Sequence, residues 1–424
     1  MRIKKIFFSL LLMLILIMNF SSFTLAVEEN NISIFSPSAI LMEKNTGKII
    51  YQKDMNKIMY PASTTKLMTA ILALEHCNLN DIATVSYDAV FSVPSGYTNA
   101  ALQVYEELTI ENLLYVLLVP SANDAANVLA EHIAGSVESF STMMNTKAVE
   151  IGCKNTHFVN PNGIHDDNHY STAYDMALIA QFAMKFDKIM EIVNTKTYTL
   201  PTTNKYTKTD RIFATTNALL KPGFKNYYYD YANGLKTGYT TPAKDCIVAS
   251  AKKDDLEFIV VVLGCPISET GLHQKFIDCK TLFDYGFDNY TTKELISQGS
   301  VYTQVEIEKA TSDTKMLDLV VENDVIAFVS NNTTSTPEVK VNYIKELTAP
   351  IYKDEVLGTV TYTLDGIEYT SAIKAASDVE RSTLIRSIFI VLCIFLILYL
   401  LSTLLGLTKR KKKHNRRVKK FIQF

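Results

Sequence analysis

Serine and lysine stand three residues apart at Ser63/Lys66, Ser250/Lys253, Ser312/Lys315 and Ser371/Lys374. A serine hydroxyl is a poor nucleophile until a base takes its proton. A lysine kept neutral by desolvation or by a neighbouring cation can be that base. The pairing needs a helix, which brings residues three apart onto one face. The first pair opens such a helix. Residues 64–75 carry Leu67, Ile71, Leu72 and Leu74 at helical spacings, with no breaker before Cys77. Pro61 suits the approach to a helix start. Ser63 then sits where free backbone N–H groups and the positive end of the dipole favour negative charge. Four matches in one chain show how cheap the pattern is, and an ordinary capped helix reads the same way.

Two further polar sets sharpen the reading. Ser121-Ala122-Asn123 separates a leucine-rich helical run, residues 109–119, from a second run, residues 125–133; Pro120 ends the first. Polar residues between two apolar helices can present side chains to a cleft or simply cap the next helix. Ser330-Asn331-Asn332 repeats the same pattern elsewhere. Lys236-Thr237-Gly238 occurs once, after Gly234-Leu235 and before Tyr239-Thr240-Thr241. Two β-type runs follow, residues 246–251 and 257–264, separated by Lys252-Lys253-Asp254-Asp255. They predict antiparallel strands with the triplet on or beside the first of the set, where Gly238 lets a substrate backbone approach. His165-Asp166-Asp167-Asn168-His169 raises a metal site. It follows Pro161 and Gly163, has no helical period and lacks a His-Glu start, so no metal and no cofactor is assigned.

These sets must be held by a larger frame. Residues 38–44 and 48–52 flank Asn45-Thr46-Gly47 as a hairpin. Residues 81–107 read as irregular or weakly extended, residues 158–163 as a turn-rich loop, 174–186 as a helix and 268–285 as a closing helix. From Val301 the runs 301–307, 317–321, 339–344 and 358–364 are short, alternating or β-branched, with Pro337, Pro350 and Asp365-Gly366 between them. They predict a small all-β domain ending near Ala376.

The two ends of the chain set its compartment. Arg2, Lys4 and Lys5 precede an almost wholly apolar run to Phe20, and Thr24-Leu25-Ala26 offers a cleavage site. That is the pattern of a secretory signal, residues 1–26. Residues 387–407 form 21 residues without a charge, enough to cross a bilayer, and residues 409–420 carry nine cations and no acid. The positive-inside rule places that tail in the cytoplasm and the body outside. Three cations belong to the signal and nine to the tail, so residues 27–408 carry −14 of a chain whose net charge is −2. An acidic exported body argues against nucleic acid as a partner. Cys393 falls in the apolar span. Cys77, Cys153, Cys246, Cys265 and Cys279 show no zinc or disulfide spacing and read as small apolar residues.

Ser63-x-x-Lys66, Ser121-x-Asn123 and Lys236-Thr237-Gly238, in this order, are the signature of penicillin-binding proteins and serine β-lactamases. Within that superfamily residues 38–376 resemble the low-molecular-mass D-alanyl-D-alanine carboxypeptidases, the S11 peptidases. The resemblance extends through Asn160-Pro161-Asn162-Gly163-Ile164, Tyr170-Ser171-Thr172-Ala173-Tyr174-Asp175-Met176 and Gly234 to Thr240. It also covers Leu347-Thr348-Ala349-Pro350, Leu357-Gly358 and Leu364-Asp365-Gly366 of the β domain.

That resemblance implies an α/β (α+β) catalytic domain of the β-lactamase/transpeptidase type. Its antiparallel sheet would carry helices on both faces and a helical subdomain. The organisation implied is signal 1–26, catalytic domain 27–290, β-rich domain 291–378, linker 379–386, membrane helix 387–407 and basic tail 408–424. Ser63 would form the acyl-ester, Lys66 accept its proton and Ser121 relay that proton to the leaving amine. Asn123 would bind the substrate backbone. Lys236 and Thr237 would bind the terminal carboxylate, with Gly238 beside them. The N–H groups of Ser63 and Tyr239 would form an oxyanion hole. The implied partners are the peptidoglycan stem peptide, β-lactams as covalent inhibitors, and the membrane.

The sequence departs from the family at Ala122, where Gly is frequent, and at Asn233, where Asp is frequent. A true span also replaces the amphipathic anchor of several members. Two other readings compete. A class A β-lactamase needs a deacylating Glu in a loop that here reads His157-Phe158-Val159-Asn160. A membrane-anchored penicillin-binding sensor or wall-binding module would need no proton relay, yet Lys66, Ser121 and Lys236 are all present.

Overall fold

The structure, a computed structural model, describes residues 32–208 and 210–421. The signal reading therefore lies outside the described residues. The chain divides into two units, with the boundary between Asp288 and Asn289.

The first unit is built on a five-stranded antiparallel sheet of order β2-β1-β9-β8-β7. Its strands are β1 (Ser38–Glu43), β2 (Ile49–Lys53), β7 (Ala232–Thr240), β8 (Lys244–Lys253) and β9 (Leu256–Cys265). The β1–β2 turn is closed by the Glu43 carboxylate, which accepts from Asn45 N at 3.0 Å and Thr46 N at 2.6 Å. Gly47 follows at φ +71°, where a side chain is disfavoured. The central strand β9 is buried from Glu257 to Leu263, so both sheet faces are covered. Ile259, Val261 and Leu263 join the main helical core on one face. Phe258, of opposite parity, packs its ring 4.9 Å from Phe287 on the other.

The helices sort by face. On the first lie α1 (Lys66–His76), the short α2 (Tyr87–Phe91), α3 (Ile110–Leu118), α4 (Asn123–Ala134), α5 (Val137–Ile151), α6 (Ala173–Ala183) and α7 (Asp187–Val193). Phe287 belongs to α8 (Gln274–Asn289). Every residue of α1 from Lys66 to Ala73 is buried, which makes it a central helix rather than an amphipathic surface one. Side-chain caps open three of these helices: Thr109 accepts from Asn112 N, Ser136 from Ser139 N, and Thr172 from Asp175 N. Short ribbons pair β3 (Ile82–Thr84) with β4 (Glu107–Thr109), and β5 (Thr197–Thr199) with β6 (Ile212–Ala214).

Several boundaries differ from the sequence reading. Residues 81–107, expected to be irregular or weakly extended, hold the short strands β3 and part of β4 and, against expectation, the short helix α2. Helix α5 escaped notice because its exposed face interrupts the apolar period with Ser, Thr and Asn. The closing helix begins at Gln274, not residue 268, because Ser268 and Gly271 close a tight turn first: Gly271 N donates to Ser268 O at 2.9 Å. The serine of the first motif lies not at the start of an α-helix but in a 3-10 turn, Ala62–Thr65, that leads into α1.

The second unit carries the strands β10 (Tyr290–Ile296), β11 (Val301–Glu306), β12 (Met316–Val321), β13 (Val325–Ser330), β14 (Glu338–Tyr343), β15 (Val356–Leu364) and β16 (Ile367–Ala375). A five-stranded sheet has the order β11-β12-β16-β15-β14, and β10 pairs with β13. Leu317, Leu319 and Val321 alternate inward on β12 against Val360, Tyr362 and Ile373. Asp365-Gly366 makes the β15–β16 hairpin, both residues at positive φ. The unit ends in α9 (Leu384–Phe421), in which Ser387–Lys412 is long and apolar enough to cross a membrane. The helix runs on through the basic stretch without a break, since Lys and Arg are good helix formers.

Candidate active site

Ser63 is half-buried in its 3-10 turn, and two glycines make room for that turn. A Cβ on Gly238 would lie 2.9 Å from Ser63 N and 3.1 Å from both Ala62 Cβ and Pro61 O. A Cβ on Gly163 would lie 1.9 Å from Ala62 O. Strand β7 and the 160–163 loop thus press on the turn from distances only glycine permits. Ala62 itself sits at φ +49° and Ser121 at φ +72°, left-handed conformations that non-glycine residues rarely adopt.

Lys66, fully buried, meets the serine from the first turn of α1. Its Nζ lies 3.0 Å from Ser63 Oγ, 2.7 Å from Asn123 Oδ1 and 2.7 Å from the Asn162 carbonyl. A neutral amine has two N–H donors and one lone pair. The two carbonyl acceptors take the donors, and the lone pair is left for the Ser63 proton. Burial holds the Lys66 ionisation well below the usual lysine range, and repulsion from Lys236 lowers it further; Asp124 acts in the opposite sense. Geometry and ionisation therefore both favour a base.

Asn123 opens α4 and is fixed from both sides. Its Nδ2 donates to Thr98 O at 2.8 Å and its own N to the same carbonyl at 3.0 Å. The next residue, Asp124, is buried and accepts from Ala100 N and Leu102 N, which ties the 98–102 segment to the helix start. Ala122 is fully buried, in the main core. Asn233, the other departure from the family pattern, bridges Ser250 Oγ at 2.6 Å and Glu257 Oε1 at 2.7 Å.

A cavity of about 610 Å³ gathers Ser63, Ser121, Asn123, Thr237, Gly238 and Tyr239 on its walls. Lys66 and Lys236 are buried next to it, close enough for their charges to repel. Lys236 Nζ donates to the Thr237 carbonyl at 2.9 Å, and burial with repulsion from Lys275 pushes its ionisation down to about 7. The eight residues singled out in the sequence thus converge on one place. The histidines serve another end. Val159 N donates to His169 Nδ1 at 3.2 Å, so His169 Nε2 carries the proton and donates to Thr65 Oγ1 at 2.8 Å. Burial pushes His169 down to about 3, which makes it a neutral pin beside Lys66.

Sequence reasoning missed several contributors. The carbonyls of Asn162 and Thr98 are main-chain groups, which no residue type announces; Pro161 and Gly163 were the available signal that a loop is shaped there. Thr216 Oγ1 lies 2.5 Å from Thr237 Oγ1 and lines the cavity, as do Asp245, His273 and Lys275. Nothing local in the sequence ties these to the three motifs.

An antiparallel sheet with helices on both faces, and a serine in contact with a buried lysine at its edge, is the architecture of the penicillin-recognising enzymes. The family model described as D-alanyl-D-alanine carboxypeptidase (peptidase S11) matches residues 24–266. The model described as the C-terminal domain of penicillin-binding protein 5 matches residues 290–381. The D-alanyl-D-alanine carboxypeptidase DacF of Bacillus subtilis is 32% identical over 81% of this chain and 86% of its own length. Among solved structures, penicillin-binding protein 5 of Haemophilus influenzae superposes with a TM-score of 0.63 at 28% identity, covering 82% of this chain and 98% of that one. A peptidoglycan synthesis regulatory factor (PBP3) of Streptococcus pneumoniae gives a TM-score of 0.71 at 26% identity, covering 82% and 100%. The chain belongs to the D-alanyl-D-alanine carboxypeptidase family of penicillin-binding proteins.

Proposed function

We propose that this family member removes the terminal D-alanine from peptidoglycan stem pentapeptides through an acyl-enzyme on Ser63. The observation that carries the reading is the 3.0 Å contact between Ser63 Oγ and a buried Lys66 amine whose two other partners are both acceptors. Lys66 Nζ takes the hydroxyl proton as Ser63 Oγ adds to the carbonyl between the last two D-alanines. The N–H groups of Ser63 and Tyr239 hold the resulting oxyanion. Ser121 passes the proton to the departing amine, and D-alanine leaves. Asn123 binds the peptide backbone, and Thr237 with Lys236 binds the free carboxylate beside Gly238. Water then attacks the ester, the acid product leaves, and Ser63 regains its proton. A β-lactam would acylate Ser63 by the same route and persist as a covalent inhibitor.

The C-terminal helix fits a single-pass anchor, with the catalytic body on the extracytoplasmic side and the basic tail in the cytoplasm. The test is D-alanine release from a pentapeptide ending in D-Ala-D-Ala, using the detergent-solubilised full chain and its Ser63→Ala variant. The expected result is release by the parent and none by the variant. Covalent penicillin binding by a parent that releases no D-alanine would overturn the proposal and favour a sensor or wall-binding module.

A further inference from the structure

A second cavity adjoins the catalytic centre through Asn162. Its volume is about 510 Å³, within the range of small-ligand sites, and it is bounded by α2, the end of α4, the start of α5 and the 160–164 loop. Its walls carry the carboxylates of Asp88, Glu131 and Glu138 and no Lys, Arg or His. None of the three carboxylates joins an ion pair among the described residues. The C-terminal end of α4 and the N-terminal end of α5 both reach the cavity, so their dipole ends offset each other and the carboxylates set its sign.

The lining selects among cations. No three carboxylate, imidazole or thiol side chains among the described residues are gathered as a metal ion requires. Pro94, Val137 and Ile164 add apolar wall, which suits an alkyl chain. Two buried amides complete the lining. Asn127 Nδ2 donates to Ala89 O at 3.2 Å and Ser92 Oγ at 3.1 Å, and its Oδ1 accepts from Asn162 Nδ2 at 3.0 Å. Asn162, 3% exposed, uses one of its two amide N–H groups in that bond, and the other has no partner among the described residues. Acceptors for an ammonium, an apolar surface for its chain and one open donor for a carbonyl together fit an amine-bearing side chain on a peptide.

Asn162 also belongs to the catalytic centre. Its main-chain carbonyl accepts from Lys66 Nζ at 2.7 Å, and Asn127 lies one turn beyond Asn123, whose Oδ1 takes the other Lys66 donor. A positive charge behind Asn162 would oppose protonation of Lys66 in the sense that Lys236 already does.

We propose that this cavity is a second binding site, for a peptide that carries an aliphatic primary ammonium, and that its occupancy reaches Lys66 through Asn162. The inference goes beyond the carboxypeptidase reading, since the site lies outside the catalytic cavity and takes no part in the chemistry at Ser63. The ammonium sits among the three carboxylates, its chain lies along the apolar wall, and a peptide carbonyl takes the open Asn162 donor. Bound there, it favours the neutral Lys66 amine and speeds acylation of Ser63.

The experiment titrates Nα-acetyl-lysine amide, whose one charge is an ammonium, into the detergent-solubilised full chain by calorimetry. Ser63 is first blocked with penicillin, so that the catalytic cavity is filled. Saturable binding is expected, with the neutral Nα,Nε-diacetyl-lysine amide roughly tenfold weaker or worse. Glu131 is half-buried and Glu138 exposed, so Glu131→Gln with Glu138→Gln should fold and, without amine, acylate at the parent's rate. The double variant should bind the probe roughly tenfold more weakly. In the unblocked parent, at a pH where acylation has not levelled off, saturating probe should speed penicillin attachment roughly fivefold or more, and the double variant should lose that response. No saturable binding, equal affinity for the diacetyl compound, or a double variant that binds like the parent overturns the site. Binding with an unchanged acylation rate overturns the link to Lys66. None of these readouts uses D-alanine release, so failure of the carboxypeptidase reading and failure of this inference are told apart.

Discussion

The two units of the chain bury different things. In residues 32–288 the interior holds Lys66, Glu106, Asp124, Asp175, Arg211, Lys236, Asp245, Lys275 and Asp278 among its aliphatic groups. In the described residues from Asn289 onward, Ser371 is the only buried polar residue, and the buried apolar residues are Leu, Val, Ile, Ala, Tyr and Phe328. Most left-handed non-glycine residues of both units are exposed, Asp54, Ala101, Tyr105, Lys244 and Asp254 in the first among them; two are not. Ala62 and Ser121 are buried beside the cavity, whereas Lys309, Asp354 and Asp365 of the second unit stand at exposed or half-buried turns. An interior charge costs free energy unless it is paired. Its concentration in one unit, with backbone strain at the same place, marks where stability has been given up for chemistry.

That contrast can be broken by substitution. The largest effect is expected at Lys66. Lys66→Met removes the base and should slow penicillin acylation of Ser63 roughly 10²–10⁴-fold, while thermal stability changes little, because the desolvation cost that disappears with the amine is offset by the Asn123 and Asn162 acceptors left unpaired. A fall in both would mean that Lys66 is structural. In the second unit Leu319→Ala should do the reverse. It deletes a fully buried side chain of the β core, at a cost of about 2–5 kcal/mol read by denaturant unfolding, and leaves the acylation rate of the folded protein unchanged.

Lys236 sharpens the contrast through pH. Its ionisation in the folded chain is lowered to about 7 from an ordinary value of 10.5. Between those limits the unfolded chain binds more protons than the folded one, so this group's contribution makes stability rise with pH. Lys236→Met should therefore stabilise the protein most at or below about pH 7, and the gain should shrink towards 10.5. A gain that does not vary with pH would contradict the assignment. The smallest effect is expected at Ser121→Gly. Relief of the left-handed backbone should leave stability unchanged or raise it by up to about 1 kcal/mol, while loss of the hydroxyl slows D-alanine release.

How far the sequence could lead differs between the units for the same physical reason. In the β unit, alternation and the Asp365-Gly366 turn announced β15. Strands β10, β13 and β16 went unnamed, β13 because its run of Ala327, Phe328 and Val329 is buried on both faces and shows no alternation. In the catalytic unit the sheet, α1, α3 and the three motifs were legible, since their periodicity and residue types are local. The 3-10 geometry at Ser63 was not. It follows from Gly163 and Gly238, each far away in sequence, closing on Ala62. Nor were the carbonyls of Asn162 and Thr98, or the cluster of Asp245, His273 and Lys275, whose members meet only because β8 meets α8 and the residue just before it.

Acylation of Ser63 depends on a buried Lys66 that takes its proton. The most direct measurement is the rate of covalent penicillin attachment from about pH 5 to about pH 10, with the modified residue located by peptide mass. An adduct is expected on Ser63, its rate of formation rising with pH and levelling off well below the ordinary lysine range. An adduct on another serine, or a rate still climbing where an unperturbed lysine titrates, would contradict it.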